Sequence, residues 1–374
     1  MSPVPSDIYE ETQRERLLSL IAICGEFPAD QISRLPGGER YKQNMIQQLK
    51  NRKQIKTFYK DGLRGYRLLL PTKESLLEQN PERFTFYMTG VNETNHIRSE
   101  ITRRLRLHRL AETFVTMMNG GVKIYRDDKP DIFAVDYILT EIKSPMFYNS
   151  REIKELGDEA IKINGSRAMG ILFTPTDLFS VYNIGDSLIE WDYKIEMRFK
   201  AIIQTTICQK SFSQQYTAGS IHGLMFVKSM RLAAEILNQP RQKEYFIFDG
   251  NYNHFYCLTN DHRGERILQM LCSAELNEKM HELLSENLYE HDPGHSVEND
   301  AIDDDGNPVL FACTFDLVRL RRFVQGIMMQ NKTGTIYCFD FQKEALTHII
   351  DERIQIRTVS FEKWERRLFL EEYY

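Results

Sequence analysis

The chain has 374 residues, 48 Lys+Arg against 53 Asp+Glu for a formal charge of −5, and 42% apolar residues. That balance excludes collagen-like, coiled-coil and wholly disordered classes, and the length suffices for two domains or three small ones. No apolar run approaches the ~18–20 residues that cross a bilayer, and the N-terminus lacks a basic stretch followed by an apolar one, so a cytoplasmic protein with no membrane partner is expected.

The six cysteines, Cys24, Cys208, Cys257, Cys272, Cys313 and Cys338, are scattered, and none forms C-x-x-C. Their apolar surroundings predict buried free thiols in a reducing compartment. The total charge hides a strong polarity. Arg34 to Arg109 holds 17 Lys+Arg against 7 Asp+Glu, a net +10, whereas Glu282 to Asp305 holds nine acids and no Lys or Arg. A basic N-terminal third points to a polyanion as partner.

In chain order, Arg14 to Cys24 reads as a helix with Leu17, Leu18, Ile21 and Cys24 on one face. A second, short helix fits Ala29 to Leu35 and is closed by Pro36-Gly37-Gly38. A third runs from Glu39 to Gln54, with Tyr41, Met45, Ile46 and Leu49 as its apolar stripe. Two short strands, Ile55 to Tyr59 and Gly65 to Leu70, flank a Gly-containing turn and make a hairpin. Three helices and a basic hairpin describe a winged helix-turn-helix. Its third helix offers Arg40, Lys42, Gln43, Asn44, Gln47, Lys50 and Asn51 to base edges and phosphates of double-stranded DNA, and the wing offers Lys56, Lys60, Arg64 and Arg67 to the backbone.

A long basic helix is expected over Thr94 to Met118, stopped by Asn119-Gly120-Gly121. Strands over 122–125, 130–135 and 137–143, a helix over 150–163 and a strand at 170–174 follow. This α-β-β-β-α-β order, with Pro130-Asp131 and Glu141-x-Lys143, resembles the core of the PD-(D/E)xK nucleases. In such a core Asp131 and Glu141 would hold Mg²⁺ beside a phosphate, Lys143 would steady the attacking water, and Glu100 would be an additional acid. Glu152-Ile153-Lys154 is a second copy of the motif.

The wing ending Gly65-Tyr-Arg-Leu-Leu-Leu-Pro-Thr-Lys-Glu-Ser-Leu, the helix His108-Arg-Leu-Ala-Glu-Thr-Phe-Val, Gly121-Val122 and Pro130-Asp131 together resemble the replication-relaxation family of plasmids and integrative elements. The likeness spans roughly residues 12–185. It implies a winged helix joined to a nuclease-like α/β domain, acting in plasmid replication or DNA relaxation beside replication or mobilisation proteins. Members often carry Glu-x-Asp where this chain has Glu141-Ile142-Lys143.

Beyond that region, a helix over 191–208, a strand at 223–227, a helix over 230–237, strands at 244–248 and 254–258 and one helix over 264–286 are expected. Residues 171–182 and 245–256 echo each other as strand, polar turn and strand. The acidic stretch 286–307 reads as a solvated loop, because Ala301 and Ala312 occupy the end positions of the calcium-loop spacing set by Gly306. The tail alternates strand 309–314, helix 317–330, strand 335–339, helix 343–350 and strand 354–359, a pattern that implies a largely parallel sheet.

The expectation is thus an α/β protein overall: an N-terminal winged helix-turn-helix, then a mixed α/β body with restriction-endonuclease-like element order. Its domains would be 1–85, 86–210 and 211–374. Three functions fit: a DNA-binding protein of a mobile element acting in replication, relaxation or their control; a Mg²⁺-dependent endonuclease using Asp131, Glu141 and Lys143; or a transcriptional regulator whose α/β body binds a protein partner.

Overall fold

A computed structural model describes residues 11–90, 100–133, 141–157, 163–188, 192–208, 212–238 and 251–370. The protein is mixed α/β with three sheets and divides into two compact units. The first comprises residues 1–115 and 125–127, the second residues 116–124 and 128–374.

The first unit begins with α1 (Gln13–Cys24), whose start is fixed by a reciprocal cap: the Glu15 N–H donates to the Thr12 hydroxyl, and the Thr12 N–H donates to the Glu15 carboxylate. Gly25, at φ 85°, ends it. Strand β1 (Phe27–Pro28) and a 3₁₀ turn (Ala29–Arg34) lead to α2 (Glu39–Asn51). Strands β2 (Ile55–Lys60) and β3 (Leu63–Leu68) then pair antiparallel from Ile55↔Leu68 to Lys60↔Leu63. Their two-residue turn, Asp61-Gly62, has both φ angles positive, the geometry that suits the strand twist. β1 joins β3 on its other edge, giving a three-stranded antiparallel sheet in the order β1-β3-β2. Helices α3 (Leu70–Gln79) and α4 (Pro81–Met88) follow, each with proline in its first turn. Helix α5 (Ile101–Asn119) contributes its residues up to Val115 to this unit.

The stripe of α2 differs by one residue from the sequence expectation. Met45, Ile46 and Leu49 are buried as expected, but Lys42 is buried with them and Tyr41 is half exposed. At 100° per residue, Lys42 lies within the arc from Met45 to Ile46, and Tyr41 falls on its flank.

The second unit holds a five-stranded sheet of β4 (Met146–Asn149), β5 (Gly170–Phe173), β6 (Leu178–Gly185), β7 (Ile221–Val227) and β8 (Phe255–Thr259), in that order. β4, β5 and β6 are antiparallel neighbours, and β6, β7 and β8 run parallel. Helices α6 (Tyr193–Ile202), α7 (Met230–Asn238), α8 (His262–Leu271) and α9 (Ala274–Ser285) accompany it. A four-stranded sheet follows from β9 (Ala301–Ile302), β10 (Pro308–Phe311), β11 (Gly334–Phe339) and β12 (Ile354–Val359). α10 (Leu317–Gln330) and α11 (Lys343–Thr347) connect β10, β11 and β12, which are parallel as the alternation in the tail implied. One apolar cluster runs through both sheets, from Phe173 and Tyr182 through Phe255 to Leu310, Phe323 and Ile336. α12 (Phe361–Glu365) packs Phe361 and Trp364 against Phe339 of β11.

Several elements differ from their expected forms. Residues 122–125 and 130–133 form no strand, though Lys123 bridges Met146 and the Tyr148 hydroxyl donates to the Pro130 oxygen; 134 and 135 lie outside the described residues. The expected strand 137–143 lies largely outside the described residues, and Glu141 to Pro145 is irregular. Of the expected helix 150–163, the described part holds a 3₁₀ turn over Glu152–Leu156 followed by Gly157, φ 66°, and 158–162 lie outside the described residues. The single helix expected over 264–286 is two, because the Ser273 hydroxyl accepts from the Leu276 N–H and starts α9 afresh. The acidic loop is partly ordered: β9 pairs with β10, and the Asp303 carboxylate accepts from the Asp305 and Asn307 N–H groups across the turn. β6 and β7 pair across the expected boundary near residue 210, so one sheet carries both sides of it. The strand expected at 244–248 lies outside the described residues, and with it much of the second half of the internal echo.

Candidate functional site

In the first unit the hairpin is held from beneath by a buried ionic cluster. Glu26, just before β1, is fully enclosed. Its carboxylate accepts from Arg67 on β3 (Nη2 2.6 Å, Nε 2.8 Å), from Arg104 on α5 (Nη2 2.6 Å, Nε 3.1 Å) and from His108 Nε2 (2.8 Å). Burial alone would push this carboxyl up, but the bonds from His108, Arg104 and Arg67 outweigh it and hold the pKa down to about 2. Arg104 is itself enclosed, and it also donates to the main-chain oxygens of Lys60 (2.7 Å) and Leu63 (3.0 Å), on either side of the hairpin turn. Phe58 lies under the guanidinium groups of Arg67 (3.6 Å) and Arg104 (4.7 Å). A Cβ at Gly65 would sit 2.5 Å from Glu26 Oε1, so this strand position has no room for a side chain. The sequence offered one hint of the cluster: Arg104 and His108 stand four residues apart on α5 and so share a face.

Braced in this way, α2 and the hairpin present cations outward. Residues 40–64 hold eight Lys or Arg and one acid, Asp61. Arg40, Arg52, Lys53, Lys56, Lys60 and Arg64 are exposed, and Lys50 is half-buried with its Nζ 5.3 Å from the centre of the Tyr66 ring. Burial, and then the neighbouring Arg64 charge, lowers the Lys50 pKa. Gln43, Asn44, Gln47 and Asn51 are exposed along α2. Lys42 and Arg67, expected to face a ligand, do not. Lys42 Nζ donates to the Ser33 (2.7 Å) and Leu35 (3.3 Å) oxygens and pairs with Glu39, closing the C-terminal end of the 3₁₀ turn. Arg67 is committed to Glu26. Tyr41, expected in the apolar stripe, is exposed instead, and the exposed Tyr59 was not singled out from sequence.

The four acid and lysine candidates fall elsewhere. Glu100, in the first unit, is exposed and pairs with Arg103 at 3.1 Å. In the second unit, Asp131 is exposed beside the buried Ile132 and Phe133. Glu141 and Lys143 are exposed on either side of buried Ile142, 3.8 Å from one another. The Gln215 side chain bonds both the N–H and the C=O of Ile142, each at 2.8 Å, which fixes that alternation. The second copy is the inward one: Glu152 is buried and accepts from the Lys129 ammonium at 2.9 Å. Among the described residues no three His, Cys, Asp or Glu side chains gather as metal ligands do. All six cysteines are buried and free, as expected. Burial pushes the thiols up, Cys272 and Cys338 to about 12, so they are inert.

The second unit also contains a polar cavity of about 550 Å³, bordered by His254, His281, His291, Asp300, Asp316 and Arg319 among others. Asp316 accepts at Oδ2 from His254 Nδ1 (2.6 Å) and at Oδ1 from the Phe255 and Val318 N–H groups (both 3.0 Å), capping α10. A carboxylate only accepts, so Nδ1 carries the proton shared with Asp316, which fixes the plane of the ring. The His222 ring stands edge-on to His254, centroids 5.0 Å apart, and meets Asp177 at 3.1 Å. Burial raises the Asp177 carboxyl, but hydrogen bonds from His222 and Thr176 outweigh this and hold it below its ordinary range. Arg319 is fixed by Glu298 (2.6 Å) and Asp300 (2.8 Å), two members of the acidic stretch. Histidine spacing in the sequence gave no sign of this site, because its members come from β8, α9, α10 and the loop between β9 and α9.

Neither the chain nor its fold matches a protein-family model, a curated protein or a solved structure.

Proposed function

We propose that the first unit is a winged helix that binds double-stranded DNA, and that the protein acts in the replication or relaxation of a plasmid or integrative element, or in their control. The observation that carries the DNA reading is the outward cationic face: eight cations against one acid over residues 40–64, all but Lys42 reaching solvent. The element order supports it as well. Helix, short strand, short helical turn, helix and hairpin, with the first strand added to the hairpin sheet, is the order of a winged helix.

In this reading α2 enters the major groove, which is wide enough for a helix. Arg40, Gln43, Asn44, Gln47 and Asn51 meet base edges or phosphates there, and Lys56, Lys60 and Arg64 of the wing neutralise the backbone. The Glu26 cluster sets the wing against α5 and so fixes the wing's angle before DNA arrives. The second unit then serves as the body that meets replication or mobilisation proteins. The mobile-element assignment rests on the family resemblance. The full chain tests the DNA reading: labelled duplex should bind with an affinity that falls steeply with salt, and Arg40→Glu or Lys56→Glu should weaken it.

A further inference from the structure

We propose that the wing takes an unpaired base at a junction between single- and double-stranded DNA, with Tyr59 as the stacking platform and Lys50 and Arg64 holding the adjoining phosphate. The inference rests on the DNA-binding reading of the first unit and names its substrate more closely.

The hairpin has two distinct faces. Side chains alternate along a strand, and directly paired residues of an antiparallel ladder share a face. Ile55↔Leu68, Thr57↔Tyr66 and Tyr59↔Arg64 therefore lie on one face, and Lys56↔Arg67, Phe58↔Gly65 and Lys60↔Leu63 on the other. The middle of the second face is filled, with Phe58 beneath Arg67 and Arg104 and Glu26 in the space at Gly65, while Lys56 and Lys60 stay exposed on it. The first face begins in the core, with Ile55, Leu68 and Tyr66 buried, and runs outward to Thr57, Arg64 and Tyr59. Tyr59 is 70% exposed. Lys50, from the last turn of α2, leans over Tyr66 on this same face, and its charge is crowded by Arg64.

Tyr59 stands at the exposed end of the hairpin, directly across the ladder from Arg64. The main chain beside it is anchored, because the two main-chain oxygens bracketing the turn are bonded by a buried arginine. An exposed aromatic ring flanked by cations is what unpaired bases bind: every base has a π-face to stack, and the sugar–phosphate chain follows the charges. A base pair inside a duplex offers no open face, and the last pair of a blunt end offers one with no phosphate chain running on past it. Discrimination between a blunt end and an unpaired tail therefore falls to Tyr59, while overall affinity for DNA falls to the surrounding cations.

The test uses the full chain and two labelled DNAs of the same duplex sequence, one blunt and one carrying an unpaired tail with 2-aminopurine as its first unpaired base. The wild type should bind the tailed DNA more tightly, on the order of tenfold for one stacked base, and should quench the 2-aminopurine. Tyr59→Ala should abolish both the preference and the quenching, while blunt-duplex affinity and its salt slope stay the same. Tyr59→Phe should keep the preference. Equal binding of the two DNAs by the wild type, or a preference that survives in Tyr59→Ala, overturns this inference and leaves duplex binding standing. Failure to bind either DNA overturns the DNA-binding reading itself, and this inference with it.

Discussion

Replacing Arg104 by Met removes the cation that closes the Glu26 pocket. The native side chain donates to the Glu26 carboxylate through Nε and Nη2 and to the main-chain oxygens of Lys60 and Leu63. Breaking a buried ion pair from one side costs about 3–5 kcal/mol, because the remaining charge stays out of water. Arg67 and His108 still reach the carboxylate, which moderates that part. The two hairpin oxygens lose their donor, at about 1 kcal/mol each, which restores it. We therefore expect the first unit to lose about 3–5 kcal/mol. Hydrogen exchange of amides in 55–68 reads this directly, since protection there follows the opening of this unit. Exchange should quicken on the order of a hundredfold or more. The double variant Glu26→Gln/Arg104→Met should be slower than the single one, because no buried anion is left. A change below about tenfold in the single variant, or no recovery in the double, would refute the claim that Glu26 and Arg104 brace the hairpin.

Three further outcomes follow from the same geometry. The Glu26 carboxyl titrates near 2 in the folded chain against an ordinary 4.5; the stability it confers is full above the ordinary value and lost as pH falls through the folded one. Urea unfolding of the hairpin, followed by exchange, should show a loss of about 3 kcal/mol across that window, and Glu26→Gln should flatten it; a wild-type profile as flat as that of the variant would contradict the assignment. Asp316→Ala removes the cap of α10 and the partner of His254 together, so a drop of about 2 kcal/mol or more is expected in urea unfolding followed by Trp364 fluorescence, and an unchanged midpoint would count against it. Because Glu141 and Lys143 face solvent and lie against each other, supercoiled plasmid with Mg²⁺ should remain intact. Nicking by the wild type that vanishes in Asp131→Ala would overturn that expectation.

Legibility in the sequence varied with how local the determinants were. The third helix, the hairpin and the parallel tail were readable because each rests on periodicity and a nearby turn: Gly62 at the hairpin, Asp316 and Asn331 at the two ends of α10. The region 122–163 was not. Its apolar residues alternate like strands, yet 122–125 and 130–133 lie irregularly. Gln215, far along the chain, holds Ile142 where a ladder partner was expected. The site was legible to the same degree. Arg40, Gln43, Asn44, Lys56, Lys60 and Arg64 face outward as their pattern implied. Lys42 and Arg67 have the same chemistry and turn inward, because the ends of a 3₁₀ turn and a buried glutamate needed cations. Nothing in residue type separates the two groups; the partners are set by tertiary approach. For the same reason the His254–Asp316 pair, 62 residues apart, had no signature.

The measurement that bears most directly on the account is the salt dependence of duplex binding by the full chain, with and without Arg40→Glu and Lys56→Glu. Both positions are exposed and outside the bracing cluster, so the fold should be untouched. With four or five phosphates neutralised, the wild type should lose affinity on the order of a hundredfold between about 50 and 200 mM salt, and each reversal should lower the logarithmic slope by about one. A wild type that fails to bind duplex at low salt, or binds with a slope near zero that the reversals leave alone, would contradict it.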